Sequence, residues 1–223
     1  MMIQLIVRAF LKYALGFALL VLFIFIPAGT WNFFQGWLFM GILFIPVFFL
    51  GLYLLLKDPD LLEKRLNARE EQMEQKMVIV FSSLMFIAGF ILAGLNYRFR
   101  WIILPMWVSY VAAAVFLLSY AVLIEVMKEN AFLSRTIEIQ EGQKVVDTGM
   151  YSVVRHPMYS VTIILFLSIP LVLGSVFSFL VFLFYPFIIA KRIRNEEKVL
   201  EKELDGYMEY KQRVKYKVIP FIW

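Results

Sequence analysis

An all-α integral membrane bundle is the fold class this sequence predicts, and three observations carry it. Of the 223 residues 62% are hydrophobic and the mean hydropathy is +0.78, well above the roughly 45–50% apolar usage of soluble domains. The apolar residues are gathered into runs near the ~20 residues that cross a hydrocarbon core as helix. Nearly all charged residues lie between those runs, as expected where a charge in lipid must be paired or reach water. We expect about six transmembrane segments, the last two a short helical hairpin, and a cytosolic C-terminal helix. Cysteine is absent, which excludes disulfides, thiolate nucleophiles and cysteine metal sites. With a single histidine no metal is expected. The net charge of +5 is better explained by membrane topology than by nucleic acid.

The first run, Phe10 to Ile26, follows Arg8 and ends at Pro27-Ala-Gly29. It lacks a convincing cleavage pattern and the next run begins almost at once, so a retained first span is expected. The second, Trp31 to Leu56, opens with Trp31 and Trp37, residues suited to an interface. Residues 57–76 form a charged cytosolic loop in which Asp58-Pro59 is a helix start, with Asp as cap and Pro first in the helix. The third and fourth runs are Met77 to Leu95 and Trp101 to Ile124, closed by Glu125. These make a four-span N-terminal region, 1–125, ahead of a catalytic region, 126–223.

That second region opens with a polar stretch, Val126 to Pro157, where helix is not expected. Thr136 to Gln140 alternates, Glu141-Gly142 offers a turn, and Lys144 to Asp147 can pair back. The last apolar stretch, Tyr159 to Ala190, is too long for one simple crossing. Pro170 and Gly174-Ser175 divide it, so a helical hairpin over 157–190 is expected. Charge bias agrees. With a cytosolic amino terminus and this hairpin, 20 of the 22 Lys and Arg share one side, leaving Arg98 and Arg100 opposite.

Two motifs then face each other at the cytosolic mouth. Pro157 as the first helical residue sets His156 near the cap, so Arg155, His156 and free backbone N–H groups converge at the positive end of a helix dipole. Such an arrangement binds anions. In the tail helix, Ile193, Leu200 and Leu204 mark an apolar stripe, and Glu196 and Glu197 fall on it. An ordinary reading makes these glutamates an ion-pair lattice with Arg192, Arg194 or Lys198, and His156 a satisfied cap. Tyr151, Tyr159, Tyr207 and Tyr210 supply aromatic faces and hydroxyls. A ligand with a carboxylate, an ammonium, a diol and a planar base would match this mouth. Lys211 to Lys217 reads as a segment attracted to anionic headgroups.

Thr136 to Tyr159, then Arg192-Ile-Arg-Asn-Glu-Glu-Lys-Val-Leu200 and Tyr207-x-x-Tyr210, resemble the isoprenylcysteine carboxyl methyltransferase family, related to the phospholipid N-methyltransferases. Asp58 to Leu66 is similar to a charged loop in many bacterial relatives. Met150 and Ser160 depart from the family's common proline and small residue. The resemblance implies S-adenosylmethionine at the cytosolic end of the bundle. Tyr151, Arg155, His156 and Tyr159 would hold its methionine end or ribose, Glu196 or Glu197 its ribose hydroxyls or ammonium, with Tyr207 beside them. Arg155, His156 and Glu197 would stand at the reaction centre. The acceptor would be lipophilic, most simply a prenylcysteine-like carboxylate entering from the bilayer. A prokaryotic cell membrane, with termini and site cytosolic, is the location this implies. Phospholipid N-methylation, an NADPH-dependent lipid or sterol reductase with a similar Arg-His-Pro-x-Tyr segment, and a non-enzymatic transporter or scaffold are the alternatives. The sequence specifies neither acceptor nor oligomeric state.

Overall fold

The computed structural model describes residues 2–67, 73–130, 132 and 139–223. Among the described residues the chain is helical and contains no strand. In order the helices are α1 (Met2–Ala28), α2 (Phe34–Lys57), α3 (Pro59–Asn67), α4 (Met73–Phe99), α5 (Met106–Glu129), α6 (Pro157–Val172), α7 (Val176–Phe182), α8 (Tyr185–Glu203) and α9 (Tyr207–Arg213), with a 3-10 turn at Gly149–Ser152. Among the described residues five stretches are long and apolar enough to cross a membrane: Met2–Ala28, Phe34–Lys57, Lys76–Phe99, Met106–Glu129 and Val176–Glu203. Side chains such as Phe10, Leu11 and Leu15 of α1 lie 66%, 60% and 59% exposed. Apolar surface on that scale needs lipid rather than water around it, and the protein is an integral membrane protein.

The chain divides into two compact units. The first comprises Met1–Ala68, Leu84–Ala114 and Leu167–Leu183. Here α1 and α2 form a tight hairpin around stacked aromatics: the Phe25 ring lies 5.5 Å from Trp31 and 4.6 Å from Trp37. The Phe33 ring stacks on Tyr97 at 4.1 Å. Pro59 begins α3 as its sequence predicts, because proline's missing N–H costs nothing in a first turn. Arg8 reaches Glu63 at 3.6 Å, and Lys12 donates to the Leu66 carbonyl, tying α3 to the start of α1.

The final apolar stretch departs from a simple hairpin. Pro170 does not break α6; it sits in the last turn, where the helix is about to end anyway. The break falls at Leu173–Ser175, where Gly174 takes φ +70 and the Ser175 side chain accepts from the Ser178 N–H to cap α7. A second interruption, at Leu183 and Phe184, separates α7 from α8. The tail helix therefore has no joint at residue 190: α8 runs unbroken from Tyr185 to Glu203.

The second unit comprises Arg69–Ser83, Val115–Phe166 and Phe184–Trp223. Contrary to the expectation of no helix after Val126, α5 continues to Glu129 and the 3-10 turn forms at Gly149–Ser152. Part of the proposed pairing strand, 136–138, lies outside the described residues. The turn after it is present, closed by Gln143 N–H to the Gln140 carbonyl at 3.0 Å, but Lys144 to Asp147 is irregular.

Candidate functional site

The centre of the second unit is a buried ion pair. Arg155, just ahead of α6, donates from Nε and Nη2 to Glu197 Oε1 on α8 at 2.9 and 2.8 Å, both side chains being 4% exposed. Lys217 donates to the other carboxylate oxygen at 2.5 Å, and His156 Nε2 lies 3.3 Å from Oε1. A carboxylate stripped of water needs partners of this kind, since an uncompensated charge there costs several kcal/mol. Its position on an apolar helical stripe is explained by cations from remote parts of the chain, not by a lattice along its own helix.

Arg155 also fixes the C-terminal segment. Its Nη1 donates to the carbonyls of Val214 and Lys215 at 2.7 and 2.8 Å, while the backbone N–H groups of Arg155 and His156 donate to Tyr216 and Lys217 carbonyls at 2.9 and 2.8 Å. Ser160 Oγ adds a bond to the Val218 carbonyl at 2.6 Å. The start of α6 is thus not the open anion site its sequence suggests. The N–H groups of Tyr159 and Ser160 bond the His156 carbonyl at 3.0 and 3.2 Å. The anion beside Arg155 and His156 is the protein's own Glu197.

A cleft opens beside this core, enclosing about 840 Å³, part of it open solvent. Tyr151, Arg155, His156, Tyr159, Glu196 and Tyr207 all contribute to its wall, as does Arg192. Glu197 does not; it stands behind, bracing Arg155 and His156. Glu196 is the carboxylate facing the cleft, 23% exposed, with His156 Nδ1 3.8 Å away. Tyr159 donates to Glu196 Oε2 at 2.6 Å and accepts from Arg192 Nε at 2.8 Å, so one tyrosine links a cation and an anion across the wall. Val145, Val199, Leu200 and Leu204 form an apolar side.

Two further groups point to a ligand. The hydroxyls of Tyr151 and Tyr207 are buried in the wall of the cleft with no hydrogen-bond partner among the described residues, and buried hydroxyls are rarely left so. Burial pushes the Tyr151 hydroxyl up to about 12, opposed by the neighbouring Asn130 side chain and reinforced by the charges of Glu196 and Glu129. Burial, and next the negative charge of Glu197, raise that of Tyr207 as well. Both therefore remain protonated donors at neutral pH. Tyr210 is used differently, donating to the Tyr151 carbonyl at 2.7 Å and so holding the 3-10 turn against α9.

Lys217 and Glu129 are the members sequence reasoning passed over, and Arg192 enters it only as an ion-pair partner of the two glutamates. Lys217 belongs to the basic segment assigned to headgroups, yet Lys211, Arg213 and Lys217 pair with Glu201, Asp147 and Glu197. The signal for Arg192 was its place four residues before Glu196, on the same helical face. Glu129 accepts from the Met150 N–H at 3.0 Å. Gly149 adopts φ +51, and a Cβ there would collide with that carboxylate. Nothing in the local pattern announces this contact.

Residues 110–202 match the isoprenylcysteine carboxyl methyltransferase (ICMT) family. The chain is also 30% identical over 91 residues to Delta(14)-sterol reductase TM7SF2 of Mus musculus, a match covering 40% of this chain and 22% of that protein. It thus spans about a fifth of the length of that curated relative.

Proposed function

We propose, from the premise that residues 110–202 are those of the isoprenylcysteine carboxyl methyltransferase family, that this protein is a membrane methyltransferase using S-adenosylmethionine. The observation that carries the reading is the cleft's mixed wall: a carboxylate, two unpartnered phenolic donors and an apolar side. Those features fit an amino acid joined to a nucleoside. Glu196 would accept from the ammonium or the ribose diol, the Tyr151 and Tyr207 hydroxyls would donate, and Val199, Leu200 and Leu204 would flank the base. Arg155 and His156 form the floor, held in register by Glu197 and Lys217. When bound, S-adenosylmethionine supplies a methyl group already activated on a sulfonium. A carboxylate acceptor, ionised near ~4, then requires no general base. What the chain must supply is orientation and exclusion of water.

The acceptor in this reading is a lipophilic carboxylate of the prenylcysteine kind, arriving through the bilayer in which the helices lie. Six crossings, with α6 and the α7–α8 limb as the last pair, keep the site and both termini on the cytosolic face, here that of a prokaryotic membrane. Incubation with methyl-labelled S-adenosylmethionine and a farnesylcysteine derivative in liposomes tests the assignment. Label released as volatile methanol by base marks a methyl ester and is the expected result; base-stable label on an amine lipid would point to N-methylation. The similarity to a sterol reductase supports a second reading, reduction of a lipid by NADPH, which predicts no label transfer at all.

A further inference from the structure

Arg98 and Arg100 are the only charged residues between Met77 and Ile124. They lie in the first unit, at the end of α4, and their electrostatic setting there is unusual. The acidic residues described in that unit, Asp58, Asp60 and Glu63, flank or belong to α3, which is bound to the beginning of α1 through Arg8 and Lys12. Arg98 instead packs at the other end of α1, where its side chain lies against Gly29. From Arg8 to Gly29 is a helical path of roughly 30 Å at 1.5 Å per residue. That is three or more Debye lengths at physiological ionic strength, taking each as about 8 Å. Within that unit neither arginine has an acidic neighbour among the described residues.

A half-open cavity of about 160 Å³ adjoins them, lined by Gln35, Asn96, Tyr97, Arg100, Leu173 and Gly174 among others. Its polar groups fall into two sets. Asn96 and Tyr97 are scaffold: Asn96 exchanges bonds with the backbone of Ile102 at 3.0 and 3.2 Å, and Tyr97 donates to the Asn32 carbonyl. The side chains of Gln35 and Arg100, by contrast, make no hydrogen bond or ion pair among the described residues and remain available as donors. Arg100 is held at φ +52, one of two such non-glycine residues described. A left-handed arginine is uncommon, and residues held in such conformations gather at binding sites. Trp31, Trp37, Trp101 and Trp107 lie on the turns and helix starts of the same unit, 63%, 43%, 47% and 65% exposed, a composition suited to the headgroup level of a bilayer.

We infer that this cavity binds the phosphate of a phospholipid headgroup, with Arg100 as its cation and Gln35 as a second donor. Guanidinium and phosphate are matched in charge and geometry, and the bilayer supplies an anion that this unit does not place beside Arg100. The site is separate in the chain from the methyltransferase cleft and does not depend on that assignment.

Native mass spectrometry of the purified protein, offered phosphatidylglycerol, a diacylglycerol without phosphate, or inorganic phosphate, tests the inference. Wild type should retain phosphatidylglycerol over diacylglycerol by about tenfold or more, the scale of one charge-assisted hydrogen bond or better. Arg100→Gly should abolish that preference while leaving thermal stability unchanged or higher, because glycine accepts φ +52 without strain. Gln35→Leu should weaken it partially. Equal retention of both lipids, or a preference that survives Arg100→Gly, overturns the inference. Displacement of the lipid by millimolar inorganic phosphate would also overturn it, identifying a soluble anion as the ligand.

Discussion

Glu196 and Glu197 are adjacent in sequence and opposite in circumstance. One faces the cleft with a tyrosine and a histidine beside it; the other is buried under Arg155, His156 and Lys217. Their glutamine variants should therefore separate. Glu196→Gln is expected to weaken S-adenosylmethionine binding about tenfold or more with little change in melting temperature, since it loses charge-assisted contacts to ligand. Glu197→Gln leaves a buried guanidinium without its counter-charge and should cost about 3 kcal/mol of stability by thermal or denaturant unfolding. Equal effects of the two on unfolding would contradict this division. The motif and its position on an apolar face were legible in the sequence, because a carboxylate where leucine is wanted demands an explanation. Which of the pair faces the cleft was not, since the roughly 100° between neighbouring helical residues leaves both near the stripe until a remote segment such as 214–217 is docked. Tyr151 carries a pH prediction at the same scale. Burial raises its folded-state value to about 12, above the unfolded value near 10, so the folded protein holds this proton more tightly. Its contribution to stability is complete below pH 10 and is lost as pH rises towards 12. Ligand affinity measured between pH 7 and 10 should show no tyrosine-linked fall; a fall with an apparent pKa near 10 would contradict the buried-donor role.

Short elements, more than long ones, set the cleft. The 3-10 turn at Gly149–Ser152 positions Tyr151, and it is pinned by Glu129 at its start and by Tyr210 through the Tyr151 carbonyl. Gly149→Ala should displace the turn, both through the strained φ and through collision with the Glu129 carboxylate. We expect cofactor affinity to fall several-fold, with a loss of about 1–3 kcal/mol in stability; an unchanged titration would show that Tyr151 does not contact ligand. The starts of α3 and α6 were readable because Pro59 and Pro157 each occupy a position that only a first helical turn tolerates. The Gly174-Ser175 break was readable for the same kind of reason. The interruption before α8 and the 3-10 turn were not, because they depend on tertiary contacts rather than on local residue preference.

At the scale of the molecule, long apolar helices with charges gathered in the segments between them define a membrane protein, and the buried ion pair and its cleft belong to one unit. The absence of native cysteine makes its orientation directly measurable. Single cysteines at Thr30 and Lys202 should label from opposite faces of sealed vesicles with an impermeant maleimide; labelling from the same face would reject the six-crossing arrangement. We propose the Arg155–Glu196 cleft as an S-adenosylmethionine site. Calorimetric titration of the purified wild-type protein with S-adenosylmethionine, its demethylated product and NADPH tests it most directly. Saturable binding of the first two, weakened by Glu196→Gln, and none of NADPH is the expected result. Saturable binding of NADPH alone would contradict it.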